Sequence, residues 1–295
     1  ALVPHLAAFV LSGSLQGSMA ASIDFANLEA TELHSDIGID NCRVVAAPTP
    51  YSAERLRGSF SQRVPVGDDW MTFTVGPENP NFVPLRRVSP HVINALLTTE
   101  DSRFFRHQGF IDHEFRSALI KNLERGRFAY GASSITMQVV KNTLLSRGKT
   151  LSRKLEELFL TWYLETELSK QRILEIYVNA IEFGPGLYGI EPAARQYFGK
   201  TPAELNSIEA AFLASLLPAP TRRYRQYCRG QVSLATARKL ERILARMYER
   251  HRLDDLEYAD AQLLPLQFGG HKSRLCHSSS ASAADATRVP PGDRS

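Results

Sequence analysis

Apolar and polar residues alternate in short runs over about the first 80 positions, broken by glycine and proline, and then the spacing lengthens. Ile37, Ile39, Val44 and Val45 share one alternating run, and Trp70-Met71-Thr72-Phe73-Thr74-Val75 forms another. A period of two predicts strands. From residue 89 onward the period is helical. Ser89-Pro90 reads as an N-cap followed by proline at the first helical position. Asp112 is placed to cap a second helix that ends before Gly126, and Ser169 to cap a third. Thr201-Pro202-Ala203-Glu204 spells a capping box opening a further helix, and a stretch rich in Arg, Leu and Ala predicts another over about 233–250. Residues 271–295 hold Ser, Ala, Pro and charge without a period, a composition that does not bury a core. The pattern divides the chain into a β-rich segment, 1–82, read as part of a truncated upstream domain; a helical domain, 83–268; and a disordered tail, 269–295.

Composition adds little to this. The 295 residues are 43% hydrophobic and 22% charged, ordinary for a globular protein. The formal charge of +4 suits an anionic lipid, a membrane surface or nucleic acid and selects none of them; no nucleic-acid-binding motif is present. Cys42, Cys228 and Cys276 are odd in number and widely spaced, so they suggest neither a disulfide framework nor a metal cluster. The opening run is interrupted by Pro4, His5 and Ser12 and falls short of the ~18 apolar residues a membrane span needs. It also lacks a basic leader. Because the chain starts at Ala1, the anchor and export signal are expected outside it.

Chemistry enters at Glu100. It lies seven residues after Ile93 and four after Leu96, which puts it on the apolar stripe of the helix that starts at Pro90. A carboxylate among aliphatics is costly unless it is paired or its proton affinity rises, and a raised affinity suits a general base. The plainer reading pairs it with Arg103 or Arg116 at a helix end.

The surrounding strings change the weight of that choice. Glu100-Asp101-Ser102-Arg103-Phe104-Phe105-Arg106-His107-Gln108-Gly109 fits E-D-x-x-F-x-x-H-x-G. Gly131-Ala132-Ser133-Ser134-Ile135-Thr136-Met137-Gln138 follows, running into Lys141-Asn142; then come Arg153-Lys154-Leu155-Glu156-Glu157, Lys170 with Ile173-Leu174-Glu175-Ile176-Tyr177-Val178-Asn179, and Tyr197-Phe198-Gly199-Lys200. These five blocks, in this order, resemble the peptidoglycan glycosyltransferases of family 51, the murein polymerase domain of class A penicillin-binding proteins. Val83-Pro84-Leu85 and residues 93 to 97 look most like the monofunctional branch. Ser134 and Met137 depart from the family's Thr and Gln, and Lys149 stands where an Arg is common, keeping the charge but losing the bidentate fork.

The resemblance implies a mainly α, two-lobed lysozyme-like domain with a cleft between the lobes, preceded by the β-rich segment. It implies polymerisation of lipid II into β-1,4-linked glycan by inverting transfer from an undecaprenyl diphosphate donor. Glu100 is then the base for the acceptor hydroxyl, and Glu157 the second acidic residue, near the donor diphosphate. Lys141, Lys149, Arg153 and Lys154 supply charge to that diphosphate, while Ser133, Gln138 and Asn142 add polar contacts. Read from its helix alone, Glu157 falls off the stripe of Leu155, Leu158, Phe159 and Trp162 and makes a local ion pair with Arg153 and Lys154. Asp101, Phe104, His107, Tyr177 and Asn179 are expected to support the cleft. Residues 115 to 128 read as an amphipathic core helix or, by resemblance, as an apolar surface dipping into the membrane. No cofactor is required by the sequence, and the metal ligands are unknown; the resemblance leaves room for a divalent cation, Mg or Mn. The implied partners are lipid II, nascent glycan, the membrane surface and other cell-wall synthesis proteins. The implied location is the outer, periplasmic face of the bacterial cytoplasmic membrane.

Two strings mislead. Ser146-Arg147-Gly148-Lys149 spells S-x-x-K with no K-T-G or S-x-N partner, and Gly148-Lys149-Thr150 ends a phosphate loop whose first glycine is replaced by Thr143. Two rival functions share the helical pattern: a lysozyme-like glycan hydrolase and a non-catalytic lipid-binding scaffold.

Overall fold

The computed structural model describes residues 4–27, 30–67, 69–109, 133–145, 151–269 and 276. Asp112, residues 115 to 128, Gly131, Ala132, Lys149 and most of 269–295 lie outside these. The chain forms two compact units, each built from two stretches: residues 1–60 with 103–177, and residues 61–102 with 178–295. It is mainly α, with short antiparallel strand pairs, as the pattern predicts.

The first unit opens on β1 (Val10–Ser22) and β2 (Glu32–Ala46), an antiparallel ribbon holding the predicted run from Ile37 to Val45. A register shift between Ser12 and Ser14 centres on Gly13, whose φ is +98°. A Cβ there would lie 2.4 Å from the Asn41 carbonyl oxygen, so only glycine fits the bulge. α1 (Ala53–Arg57) follows; β3 (Phe60–Val66), which pairs with β4 (Asp69–Val75), then begins the second unit. β4 holds the predicted Trp70–Val75 strand.

α2 (Pro90–Thr99) belongs to the second unit. Proline stands at its first turn as expected, but Ser89 does not cap it: the hydroxyl donates instead to the Leu205 carbonyl, 2.7 Å away. A tertiary acceptor has taken the side chain from the local one. In the first unit, α3 (Ile135–Thr143) packs on α4 (Leu151–Glu167), which also carries α1. The buried face of α4 is Glu156, Glu157, Leu160, Thr161, Tyr163 and Leu164. Leu155, Leu158, Phe159 and Trp162 are only half-buried, so the expected stripe is wrong by about one residue's rotation. On the buried face Thr161 turns its hydroxyl back onto the Glu157 carbonyl at 2.7 Å.

α5 (Lys170–Ala180) starts at Ser169, whose hydroxyl accepts from the Arg172 N–H as the cap reading requires. Arg172 in turn donates to the carbonyls of Leu56 and Gly58 at 2.9 and 2.6 Å, fastening the segment after α1. β5 (Glu182–Gly184), β6 (Leu187–Tyr188) and α6 (Ile190–Phe198) follow. The box at Thr201 is present, but it closes only a 3-10 turn, Pro202–Glu204. The helix proper is α7 (Ser207–Leu216), capped by its own box of Asn206 and Glu209. All ten residues of α7 are buried, because its small and apolar side chains leave no polar face. It is the axis of the second unit, contacted by α2, by α8 (Pro220–Cys228), by α9 (Leu234–Glu249) and by α10 (Asp255–Leu263). α9 matches the predicted 233–250 helix, with Ser233 capping Thr236.

Tyr197, Phe198, Phe212, Tyr224, Tyr227 and Phe268 form an aromatic cluster with centroids 5.0 to 6.1 Å apart. Burial pushes the Tyr197 phenol well above its ordinary range, and its hydroxyl donates to the Phe183 carbonyl at 2.8 Å. Beside the cluster, Cys228 and Cys276 form a disulfide with Cα atoms 5.2 Å apart. This corrects the cysteine reading: a partner 48 residues away gives no spacing signal.

Asn179 at the end of α5 is buried and makes a two-way bridge. Its amide donates to the Val83 carbonyl and its oxygen accepts from the Val83 N–H, both at 2.8 Å. Asn179→Ala strands both backbone groups, and the expected loss is about 3 kcal/mol of stability, read as a lower urea midpoint at unchanged m-value.

Candidate active site

Three interlocked devices in the first unit set the positions of its site residues. The segment after Glu100 turns on Phe104, which is fully buried, and His107, whose Nδ1 accepts from the Gly109 N–H at 2.9 Å. Gly109 has φ +89°, and a Cβ on it would meet the Thr161 Cγ2 at 2.6 Å. The Gly109 carbonyl accepts from the Ser134 hydroxyl at 2.7 Å, and Ser134 caps α3 by accepting from the Met137 N–H. Ser134 in place of the expected Thr keeps this cap. His107 holds the turn through its bond to Gly109.

The cap aims α3. Ser133 precedes it and is half-buried. Gln138, one turn in, accepts from the Tyr177 hydroxyl at 3.3 Å. Lys141 and Asn142 follow on the exposed side of the same helix. The helix interior is tied to α4 and α5 through Thr136, which donates to Glu165; Glu165 pairs with Lys170 Nζ at 2.7 Å. The Lys170 ammonium also lies 4.4 Å from the centroid of the Phe104 ring.

On α4, Glu157 is 2% exposed and holds two cations: Arg153 Nη1 at 3.1 Å and Lys154 Nζ at 2.7 Å. Arg153 and Lys154 are themselves partly open, so their charge is fixed at the surface by a carboxylate beneath it. The local ion pair read from the helix is therefore real, and it also orients both cations. Lys149, expected beside them, lies outside the described residues. Among the described residues no three His, Cys, Asp or Glu side chains gather as metal ligands. Both Glu157 oxygens already accept from cations, so these residues do not fit a protein-held divalent ion.

Glu100, Asp101 and Asn179 belong to the second unit. Glu100 is the C-cap of α2 and is half-buried; its N–H still closes the helix onto the Leu96 carbonyl. It sits one step past the stripe rather than within it. Asp101 is buried. The segment carrying both is clamped from the far end of the chain. Arg252 donates to the Thr98 hydroxyl at 2.6 Å and the Ser102 carbonyl at 2.9 Å, and Arg250 to the Thr98 carbonyl at 3.1 Å. Burial, and then the neighbouring Arg250, lowers the Arg252 guanidinium from its ordinary range, while Asp101 opposes that shift. Sequence reading missed both arginines, which stand some 150 positions from what they hold and carry no local signal.

Comparison with known proteins follows the same line. Residues 68–248 match the family described as Transglycosylase. The biosynthetic peptidoglycan transglycosylase of Chromobacterium violaceum is 43% identical over 166 residues, covering 56% of this chain and 71% of that one. The protein of that name from Nitrosomonas eutropha is 46% identical over 139 residues, 47% of this chain and 57% of its own. Penicillin-binding protein 1A of Aquifex aeolicus is 37% identical over 193 residues, 65% of this chain and 26% of its own. With five motifs in register and most of its length matched, the chain belongs to the transglycosylase family, the peptidoglycan glycosyltransferases.

Proposed function

We propose that this chain polymerises lipid II into β-1,4-linked glycan, with Glu100 as the base and the Arg153–Lys154–Glu157 group as the holder of the leaving diphosphate. The Glu100 carboxylate takes the proton from the acceptor's 4-hydroxyl. That oxygen attacks the anomeric carbon of the donor, the bond from this carbon to the diphosphate breaks, and the electron pair leaves with the diphosphate. Attack opposite an α-linked leaving group gives the β product, so the centre inverts. A diphosphate needs its charge neutralised more than it needs a proton, which suits fixed cations. Lys141 and Lys149 add charge to the same task, and Ser133, Gln138 and Asn142 polar contacts.

The observation that carries this reading is the buried Glu157 under two partly open cations. A glycan hydrolase has no diphosphate to neutralise and no use for that device. A scaffold has no use for a half-buried carboxylate on a segment whose flanking Thr98 and Ser102 are clamped by Arg250 and Arg252.

The outer, periplasmic face of the cytoplasmic membrane is the proposed location. The Cys228–Cys276 disulfide supports an oxidising compartment. No helix among the described residues is long and apolar enough to cross a membrane. Residues 115 to 128, the proposed membrane-facing surface, lie outside the described residues. Nascent glycan and other cell-wall synthesis proteins are the proposed partners.

Purified lipid II in detergent tests the reading: glycan polymer is expected, and clipping of preformed glycan without polymer would overturn it. Glu100→Gln is expected to lower turnover by roughly 10²- to 10⁴-fold, the worth of a positioned base; an unchanged rate removes the base assignment. Glu157→Gln releases Arg153 and Lys154 from their anchor. Its kcat/KM for lipid II is expected to fall roughly 10- to 100-fold, as for one lost charged hydrogen bond, in the same polymerisation assay.

A further inference from the structure

The family's stretch begins at residue 68, yet the chain before it is built into the first unit. Phe9 sets its ring edge-on against Phe159 and Tyr163 of α4, with centroids 5.1 and 5.8 Å apart. At the start of α1 the Ala53 N–H donates to the Tyr163 hydroxyl at 3.1 Å, and this contact is buried. Leu56 of α1 is fully buried, and its carbonyl and that of Gly58 take the two Arg172 bonds from α5. α1 is therefore pinned to both α4 and α5. A segment held this firmly can hold something else in turn.

What it holds is the end of α3. Arg55 of α1 donates from Nη2 to the Thr143 carbonyl at 3.3 Å, and its guanidinium carbon stands 5.6 Å from the centroid of the Phe60 ring. Thr143 is the last residue of α3, a helix of nine residues. The final carbonyls of a helix have no partner within it, and a cation there meets both the open acceptor and the negative end of the dipole. So short a helix frays from its end unless such a partner is supplied. The same last turn carries Lys141 and Asn142, both exposed. Fraying would swing those two side chains, and the Arg55 bond keeps the turn wound beneath them. For packing alone Arg55 is a poor choice. It is half-buried, burial lowers its guanidinium from the ordinary range, and its buried Nε has no hydrogen-bond partner among the described residues. A methionine would fill much of that space without stranding a donor.

We propose that Arg55 is a positioning residue for the diphosphate site: through the Thr143 carbonyl it braces the last turn of α3, and with it Lys141 and Asn142. The link to the diphosphate rests on the proposed roles of those two residues; the bracing of the helix end does not. Arg55 stands outside the matched stretch and in none of the five blocks, so motif matching passes over it.

Hydrogen exchange on the full chain, read by mass spectrometry over α3, tests the brace. In Arg55→Met the amides of the last turn are expected to exchange roughly three- to tenfold faster, the weight of one hydrogen bond, while the urea midpoint stays close to that of the wild type. Unchanged exchange there overturns the brace. Faster exchange spread over the whole first unit, with a lower urea midpoint, makes Arg55 an ordinary packing residue and overturns it too. In lipid II polymerisation, Arg55→Met is expected to raise KM by a similar factor, roughly three- to tenfold, with kcat nearly unchanged. Arg55→Lys, which keeps a donor and the charge, is expected to recover most of it. A fall in kcat at unchanged KM overturns the link to the diphosphate site. Arg57→Met is the control, since Arg57 is exposed and pairs with Glu54 and with Glu167 at the opposite end of α4 from Arg153. An equal rise in KM in that variant overturns the assignment to Arg55. If the wild-type chain makes no polymer while Arg55→Met still loosens the end of α3, the functional reading fails and the brace stands.

Discussion

A charge taken out of water must be answered where it lies, and that constraint organises this protein more than any single motif does. Glu157, Glu165 and Glu209 are buried carboxylates, and each is met by a cation that reaches toward solvent: Arg153 and Lys154, Lys170, and Lys200. The pairing does two things at once. It removes the desolvation cost of the acid, and it fixes a flexible basic side chain in one direction. In Glu209 the result is structural, since the same carboxylate closes the capping box of the central helix. In Glu157 the fixed cations sit at the surface, where a phosphate can use them.

The motif residues divide on this basis into those turned inward, which hold chain segments, and those left open. Phe104, His107 and Gly109 form a turn whose Gly109 carbonyl accepts from Ser134, and Ser134 caps the start of α3. Tyr177 and Asn179 hold neighbouring chain segments, one through Gln138 and the other through Val83. These positions need their side chains for geometry. Glu100, Lys141, Arg153 and Lys154 are left part-open or exposed by the same geometry.

Sequence by itself determined the helical period from residue 89, the strands at Ile37 to Val45 and Trp70 to Val75, the cap at Ser169, the helix over about 233–250, and the five blocks that name the chemistry. These are local: each depends on residues within a few positions of one another, so the chain spells them out. Only the tertiary structure decided which face of α4 is buried, that Ser89 serves Leu205 instead of its own helix, and that Cys228 meets Cys276. The same holds for Arg250 and Arg252, which close on the segment bearing Glu100 from the other end of the chain. Side chains choose partners by distance in space and by the cost of remaining unpaired away from water, and neither quantity is written in the spacing of residues along the chain.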